Sequence, residues 1–304
     1  MATAAPSDPA PRLVGCVLTL NEERNIARAV RSMQAVADIT FVVDSLSTDR
    51  TREIAEAEGA VVVEHPFEGY AAQRNWALAE IERRWGGDAW AFTLDADEWL
   101  SDELAAELAA IAASPRDATD GGADIYIVPV RRRFDGRVLK HGGFGRTWSI
   151  RMWRAGYSAY GERAANETLV VPDDARIVYL DGWLEHADVD SWEKYIAKHN
   201  HYSTVEADAR HRARNEGQQR VTFGQAVRDR SVRRRFLRQR VWDLLPDSAK
   251  PALRFVQVYV VSLGFLDRRS GFERALFEAW QEMCTDLKAR EAAADASATG
   301  SAAP

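Results

Sequence analysis

Uncharged aliphatic runs alternate with amphipathic stretches through the first hundred or so positions. Leu13-Val14-Gly15-Cys16-Val17-Leu18-Thr19-Leu20 has no charged residue and reads as a strand buried on both faces. Asn21-Glu22-Glu23-Arg24-Asn25 then opens a helix that sets Ile26, Ala29, Val30 and Met33 on one side. A second strand, Ile39-Thr40-Phe41-Val42-Val43, ends in the polar run Asp44-Ser45-Leu46-Ser47-Thr48-Asp49. Ser47 or Asp49 is placed to cap a helix from Thr51 to Glu58, and Gly59 to end it. A third strand, Ala60 to Glu64, and a fourth, Trp90-Ala91-Phe92-Thr93-Leu94, complete the series. Strand–helix repetition of this kind predicts an α/β fold around a parallel, doubly wound sheet. The polar ends of strands one, two and four would then gather along one edge, where open α/β sheets bind ligands.

From about Ser191 the pattern becomes helical, with Trp192, Tyr195, Ile196 and His199 along one face. The stretch Ala252 to Leu266 is apolar but fifteen residues long and carries Arg254 and Gln257. It falls short of the ~20 residues that span a bilayer and suits a helix lying on a surface or packed in a core. The organisation expected is a tail at 1–11, a sheet domain over 12–190, a helical region over 191–290 and a second tail at 291–304. Both tails are so read from their Ala, Pro, Ser and Gly content.

Composition changes the picture in two ways. The net charge of −6 gives no global case for nucleic acid, yet Arg210 to Arg240 holds eleven arginines against Glu216 and Asp229. Only Cys16 and Cys284 could form a disulfide, and two thiols so far apart in sequence suggest a reducing compartment. Met1 to Pro11 has neither a basic region nor an apolar run and is not read as a signal peptide. These features predict a cytoplasmic protein.

The most specific chemistry lies at the end of the fourth strand. Asp95-Ala96-Asp97 delivers two carboxylates, and an extended chain would turn both to the same side with Ala96 facing away. Paired carboxylate oxygens suit Mg²⁺ or Mn²⁺, which complete their shells with water and substrate phosphates.

Thr19-Leu20-Asn21-Glu22-Glu23-Arg24-Asn25, Val42-Val43-Asp44-Ser45 with Ser47-Thr48-Asp49, and Leu94-Asp95-Ala96-Asp97-Glu98 together resemble the inverting nucleotide-sugar glycosyltransferases of family two. Glu64 to Asn75, His141-Gly142-Gly143, Gly264-Phe265-Leu266-Asp267 and Ser270-Gly271-Phe272 narrow the likeness. They are similar to the bacterial branch that builds lipopolysaccharide core and related envelope glycans. The resemblance covers about residues 12 to 285 in collinear order. It implies a GT-A fold, Rossmann-like with a mostly parallel central sheet, carrying a C-terminal helical appendage.

It also implies roles. Thr19, Leu20, Asn21 and Glu22 would line the donor's base pocket, and Asp44 would contact its nucleoside. Asp95 would sit near the ribose and the metal, with Ala96 between it and Asp97, which would bind the cation bridging the diphosphate. Gln73, Arg74 and Asn75 would face the donor, and His141 would touch the acceptor or the leaving phosphate. Two departures stand out. Relatives often carry an acid after the His-Gly-Gly loop, where this chain has Gly145-Arg146-Thr147-Trp148; Leu46 replaces a usual Gly. Glu167 is the candidate base and Glu162 the second.

The function so implied is metal-dependent, inverting transfer of a sugar from a nucleotide donor, with UDP the family-level choice, to a hydroxyl of a glycan, glycolipid or other envelope acceptor. Leaving-group departure needs charge neutralisation, and a single displacement needs a base for the acceptor's proton. Anionic membrane at the inner face of the cell membrane is a further expected partner, drawn by the arginine run and the Ala252–Leu266 segment. Two other readings stay open: a tailoring enzyme for a soluble small molecule, and a non-catalytic nucleotide-sugar-binding module. A sugar nucleotidyltransferase would show a Gly-rich, basic phosphate loop after the first strand, and Thr19-Leu20-Asn21-Glu22 is not one.

Overall fold

A computed structural model describes residues 12–114, 123–161, 168–189, 191–215 and 246–300. Glu162, Glu167 and the arginines from 220 to 240 lie outside the described residues. The rest forms two compact units, one from 12–138 with 146–189, the other from 139–145 with 191–300.

The first unit opens as the hydrophobic pattern predicts. It runs β1 (Leu13–Thr19), α1 (Ile26–Gln34), β2 (Ile39–Asp44), α2 (Thr51–Ala57), β3 (Val61–Glu64), α3 (Tyr70–Trp85) and β4 (Trp90–Asp95). It continues with β5 (Glu98–Leu100), α4 (Asp102–Ala113), β6 (Ile125–Phe134), β7 (Arg137–Val138) and β8 (Thr147–Arg154). Four short strands complete it: β9 (Tyr160–Gly161), β10 (Thr168–Leu169), β11 (Ile177–Tyr179) and β12 (Leu184–Ala187). The main sheet has the order β3-β2-β1-β4-β8-β6-β12-β5. The block β3-β2-β1-β4 is parallel, while β8 runs antiparallel to both β4 and β6. The fold is therefore mixed α/β, with a parallel half and an antiparallel insertion. The chain reverses out of β6 through Asp135-Gly136, both at positive φ, the two-residue turn whose twist matches a hairpin.

Both sheet faces are covered. Ile26, Ala29, Val30 and Met33 of α1, Ala55 of α2 and Leu104 and Leu108 of α4 pack with Leu13, Val17, Phe92 and Leu94. Ala77, Leu78 and Ile81 of α3 pack on the other face with Val14, Cys16, Phe41 and Trp153. Burying each large side chain fully contributes roughly 1.5–3 kcal/mol. Gly15 lets α1 pack closely on β1, since a Cβ there would stand 3.2 Å from Met33 Cβ and would displace the end of the Met33 side chain. Burial also pushes the Cys16 thiol up to about 12, so it is an inert core group.

The second unit is helical: α5 (Trp192–Asn215), α6 (Lys250–Val256) and α7 (Arg268–Gly300). Three expectations change here. The apolar stretch 252–266 is not one helix. After α6 come a π-turn at Gln257–Val261 and a 3₁₀ turn at Gly264–Asp267, with Leu263 left-handed at φ 61 between them. Gly264 and Gly271 permit this tight fold-back, because a Cβ on Gly271 would fall 1.9 Å from the Gly264 carbonyl oxygen. The tail expected from 291 is helical to Gly300, in keeping with alanine's high helix propensity. Trp192 and Ile196 are largely exposed, while Tyr195 is buried with Ala207. Arg210, the first of the arginine run, pairs with Glu282 at 2.8 Å and Asp286 at 3.1 Å on α7.

Candidate active site

The ends of the parallel strands meet in register. Thr19 lies beside Asp44, Leu18 beside Asp95, and Asp44 beside Glu64. The predicted gathering of polar strand ends along one edge is thus present.

Two loops at this edge are stitched together by short-range polar bonds. Asp44 is fully buried and accepts from Ser47 N at 2.7 Å and Ser47 Oγ at 2.5 Å. Ser47 Oγ in turn accepts from Asn21 N at 2.8 Å, and Asn21 Oδ1 accepts from Thr48 N at 2.8 Å. Glu22 N donates to Thr51 Oγ1 at 2.7 Å, and Glu22 Oε2 accepts from Asn25 Nδ2 at 2.7 Å. Asp49, rather than Ser47, serves the start of α2, accepting from Thr51 N at 3.0 Å. Leu46 occupies the left-handed region at φ 65. The Asp44 turn therefore keeps the conformation a glycine would favour, with a side chain half exposed at its tip. Leu20 is likewise exposed, whereas Thr19 is buried and its Oγ1 has no hydrogen-bond partner. A buried orphan hydroxyl beside Asp44 is an available donor or acceptor for a ligand.

Gln73, Arg74 and Asn75 each reach a different structure. Gln73 is buried, with Oε1 2.7 Å from His65 Nδ1 and Nε2 donating to Ser45 Oγ at 3.1 Å. Arg74 donates to Asp95 Oδ1 at 2.9 Å. Asn75 clamps the backbone of Tyr160, donating to its carbonyl at 2.9 Å and accepting from its N–H at 2.7 Å.

The Asp95-Ala96-Asp97 segment is not extended, contrary to the alternation expected from sequence. Ala96 and Asp97 form a turn. It is fixed by bonds from Ala96 N to the Leu18 carbonyl, Asp95 N to Glu98 Oε2 and Ala187 N to the Asp97 carbonyl. The two carboxylates consequently have different company. Asp95 sits between Arg74 and Arg151 Nη1, the latter at 3.7 Å. Burial acts to raise its pKa, but the two guanidinium groups outweigh that and hold it well below the usual carboxylate range. Asp97 Oδ2 lies 3.3 Å from His186 Nε2. His186 Nδ1 lies 3.1 Å from Asp188 Oδ1, and Arg132 Nη1 is 3.0 Å from the same oxygen. Burial disfavours the imidazolium, yet its bonds to Asp188 and Asp97 push its pKa up to about 10. Glu98 is buried and bonded to Arg151 Nη2 at 2.6 Å; burial raises its pKa against that attraction.

Arg151, Glu98, His186 and Asp188 were missed as site residues by the sequence reading. Faint signals exist: Arg151 interrupts the strand Ile150 to Trp153, and His186-Ala187-Asp188 repeats at the end of β12 the polar–Ala–Asp spacing of Asp95-Ala96-Asp97. His141 falls in the second unit. There its Nδ1 lies 2.9 Å from Asp267 Oδ1, and Gly142 N donates to the Ser262 carbonyl at 2.8 Å. The Leu139–Gly145 loop, assigned to the sheet domain by sequence order, clusters with the helices through these bonds.

The geometry invites comparison with known proteins. An uncharacterised glycosyltransferase of Rickettsia typhi is 30% identical over 198 residues, covering 63% of this chain and 65% of that protein. The match thus spans a little under two thirds of the relative's length. The lipopolysaccharide core biosynthesis glycosyltransferase LpsC of Rhizobium meliloti is 26% identical over 197 residues, 63% of this chain and 69% of that one. Among solved structures, TarS of S. aureus aligns over 92% of both chains at 15% identity and a TM-score of 0.39. Residues 16–187, from within β1 to the end of β12, match the model of glycosyl transferase family 2, and the chain belongs to that family.

Proposed function

We propose that this chain transfers a sugar, with inversion, from a nucleoside-diphosphate donor to a hydroxyl of an envelope glycan or glycolipid. UDP is the nucleotide proposed. The observation that supports this best is the register that brings the ends of β1, β2 and β4 together, Thr19 beside Asp44 and Leu18 beside Asp95, with Asp97 and His186 paired at the turn after β4. An envelope acceptor is supported by the relationship to LpsC, whose name assigns it to lipopolysaccharide core synthesis.

A divalent cation fits the residues present. Asp97 supplies carboxylate oxygens at the strand-end turn; its Oδ2 lies 3.3 Å from His186 Nε2, and its side chain is less than one-fifth exposed. The described residues contain no group of three or more His, Cys, Asp or Glu suited to a metal. The protein's share would therefore be one or two side chains, as Mg²⁺ and Mn²⁺ accept when substrate phosphates complete the shell. When bound, such an ion neutralises charge on the departing diphosphate. In this reading Asp97 holds the cation, and Asp95, fixed by Arg74 and Arg151, stands near it and the donor ribose. Asp44 and the Thr19 hydroxyl face the nucleoside with Leu20, Asn21 and Glu22. Gln73 and Asn75 act by holding the walls in place. Glu167 takes the acceptor's proton, with Glu162 the second choice; replacing Glu167 by Gln should lower kcat by ~10²–10⁴ with donor affinity kept.

Thermal melts with a panel of nucleotide sugars and Mn²⁺ test the proposal. A donor at 100 times its Kd should add ~2.7 kcal/mol of stability. Absence of any shift, with or without metal, would sink the donor assignment. Binding with no turnover of the donor, with or without acceptor, would point instead to a non-catalytic module.

We further propose attachment to anionic lipid from the cytoplasmic side. No helix among the described residues is long and apolar enough to cross a membrane. The fold-back of the second unit exposes Val260, Val261, Leu263, Phe265 and Leu266, and Arg268 and Arg269 follow directly. Aliphatic tips beside arginines suit an anionic interface, each cation contributing ~1 kcal/mol. Co-sedimentation with anionic liposomes at low salt and release at high salt is expected. Failure to bind at low salt would favour a soluble, small-molecule acceptor.

A further inference from the structure

Away from the strand-end carboxylates, the first unit carries an exposed aromatic corner. Trp148, near the start of β8, and Tyr179, the last residue of β11, meet with ring centres 5.0 Å apart and planes at 89°. They are 45% and 59% exposed. Both strands pair with β6, Trp148 beside Pro129 and Tyr179 beside Ile127. Those two partners are two positions apart, so both rings emerge on one face of the sheet. The Arg146 guanidinium lies over the Trp148 ring at 4.2 Å and over Trp183 at 5.1 Å. Asp181 Oδ1 stands 3.6 Å from Arg146 Nη2, on a side chain almost fully exposed.

The segment that delivers Asp181 and Trp183 is pinned to α4. Asp181 N and Gly182 N each donate to the Glu107 carboxylate at 3.2 Å, and Trp183 N donates to Ser101 Oγ at 3.1 Å. Gly182 lies so close to the helix that a Cβ would meet Leu104 N at 2.3 Å. Three consecutive amides are thus tied down, and little ordering remains to be lost when a ligand binds.

Rings of this kind suit a sugar. A pyranose presents axial C–H bonds on its face, weakly positive and apolar, with hydroxyls around the rim. An aromatic face is electron-rich and attracts such C–H bonds. A guanidinium only donates and a carboxylate only accepts, so Arg146 and Asp181 together satisfy both halves of a hydroxyl pair. They balance each other's charge, and an exposed, loose pair gains little from staying closed. Polar-rimmed rings beside a balanced ion pair match a neutral polyol better than lipid tails. The corner also lies toward the Asp95 end of the sheet, because β8 runs antiparallel to β4 and Trp148 is near its start.

We infer that Trp148 and Tyr179 form a saccharide platform on which a neutral sugar ring of the acceptor stacks, with Arg146 and Asp181 bonding its hydroxyls. Its use by the acceptor rests on the glycosyl-transfer reading; the stacking itself does not.

Saturation-transfer NMR of the full chain with methyl glucopyranosides, galactopyranosides and mannopyranosides, without nucleotide, tests the platform. At least one should receive saturation, chiefly on its ring C–H protons. That signal should fall about 10-fold in Trp148→Ala and in Tyr179→Ala, while Trp148→Phe keeps most of it. Both alanine variants should melt within about 2 °C of native, since each ring is roughly half exposed. With a bound pyranoside as acceptor, Trp148→Ala should raise the acceptor KM about 10-fold and leave the donor KM unchanged. No saturation of any pyranoside, or equal saturation in native and both alanine variants, would overturn the inference. A dimer seen by light scattering and lost in Trp148→Ala, with no pyranoside bound, would also overturn it and make the corner a contact between copies. Transfer with an acceptor KM unmoved by Trp148→Ala would overturn the assignment to the acceptor. Pyranoside binding lost in Trp148→Ala, from a native chain that turns over no nucleotide sugar, would keep the platform and fail the transfer reading.

Discussion

The loops after β1 and β2 and the cluster at the ends of β4 and β12 lie on one sheet, yet they are built on opposite principles. The loops use mostly short hydrogen bonds among Asn21, Ser47, Thr48, Asp49 and Thr51, with the buried carboxylate of Asp44 bonded by Ser47 and only distantly paired with Arg52, at 3.9 Å. The cluster sets Asp95, Asp97, Glu98 and Asp188 against Arg74, Arg132, Arg151 and His186. The loops gain shape from satisfied bonds. The cluster gains charge balance, and a balanced cluster can admit a dication only together with an anion. Under the proposed function a nucleoside diphosphate brings that anion, so ion and donor are expected to enter together.

Four measurements would break or sharpen this contrast. The largest effect is expected from Asp97→Ala, which removes the carboxylate that no arginine claims in the bonds described above. Transfer should fall at least ~10³-fold, with the protein still folded because His186 keeps its bond to Asp188. Full activity of the native protein in chelator would remove the cation from the mechanism. Next comes Arg151→Met, which strips both Asp95 and Glu98 of a buried partner. Chemical denaturation should show a loss of ~3–5 kcal/mol; a loss under 1 kcal/mol would mean the cluster is not charge-coupled. Ser47→Ala should cost less, ~1–3 kcal/mol, since it leaves Asp44 and Asn21 short of one partner each. It should also weaken nucleoside binding, measured by calorimetry with the free nucleotide. If Ser47→Ala costs more than Arg151→Met, the contrast is reversed.

The smallest effect concerns pH. His186 has a folded pKa of about 10 against an ordinary 6.5, so its ion pairs are fully stabilising below pH 6.5. That contribution should be lost as pH rises through about 10. For metal-free protein in chelator, His186→Gln should flatten this alkaline decline, read as a smaller fall of Tm between pH 7 and pH 10 than in the native protein. Identical alkaline profiles for native and variant would show that His186 is not an imidazolium between Asp97 and Asp188.

These contrasts also mark what the sequence could disclose. The strands β1 to β4 and the buried face of α1 were legible because period, caps and turn residues act within a few positions. The edge that collects Thr19, Asp44 and Asp95 followed from strand order alone. Asp97's true setting was not legible, because its turn is fixed by Ala187, and its charge partner His186 lies 89 residues away. Arg151 was hidden for the same reason, its partners being 53 and 56 residues upstream. Gln73 and Asn75, read as donor-facing helix polars, hold His65, Ser45 and Tyr160, partners that no local pattern signalled. The break in 252–266 was signalled by Gly264, while the left-handed Leu263 beside it had no local signature. The tail reading at 291–304 failed up to Gly300 because low complexity was weighed above alanine's helical preference.

One short stretch of α3 works as a gauge. Gln73 grips the β2 loop, Arg74 the β4 carboxylate, and Asn75 the start of the β9–β10 pair that flanks Glu162 and Glu167. Three neighbouring residues on one rigid helical turn thereby set the separations among Ser45, Asp95 and Tyr160, which the proposed function puts at the nucleoside, the cation and the strand that leads towards the candidate base. A displacement reaction is sensitive to angstrom errors between its partners, and freezing their spacing in advance converts orientation entropy into rate. Inserting or deleting one residue in this turn would rotate the three grips by ~100° relative to the sheet. Every group could survive such a change, and the proposed transfer would still be lost.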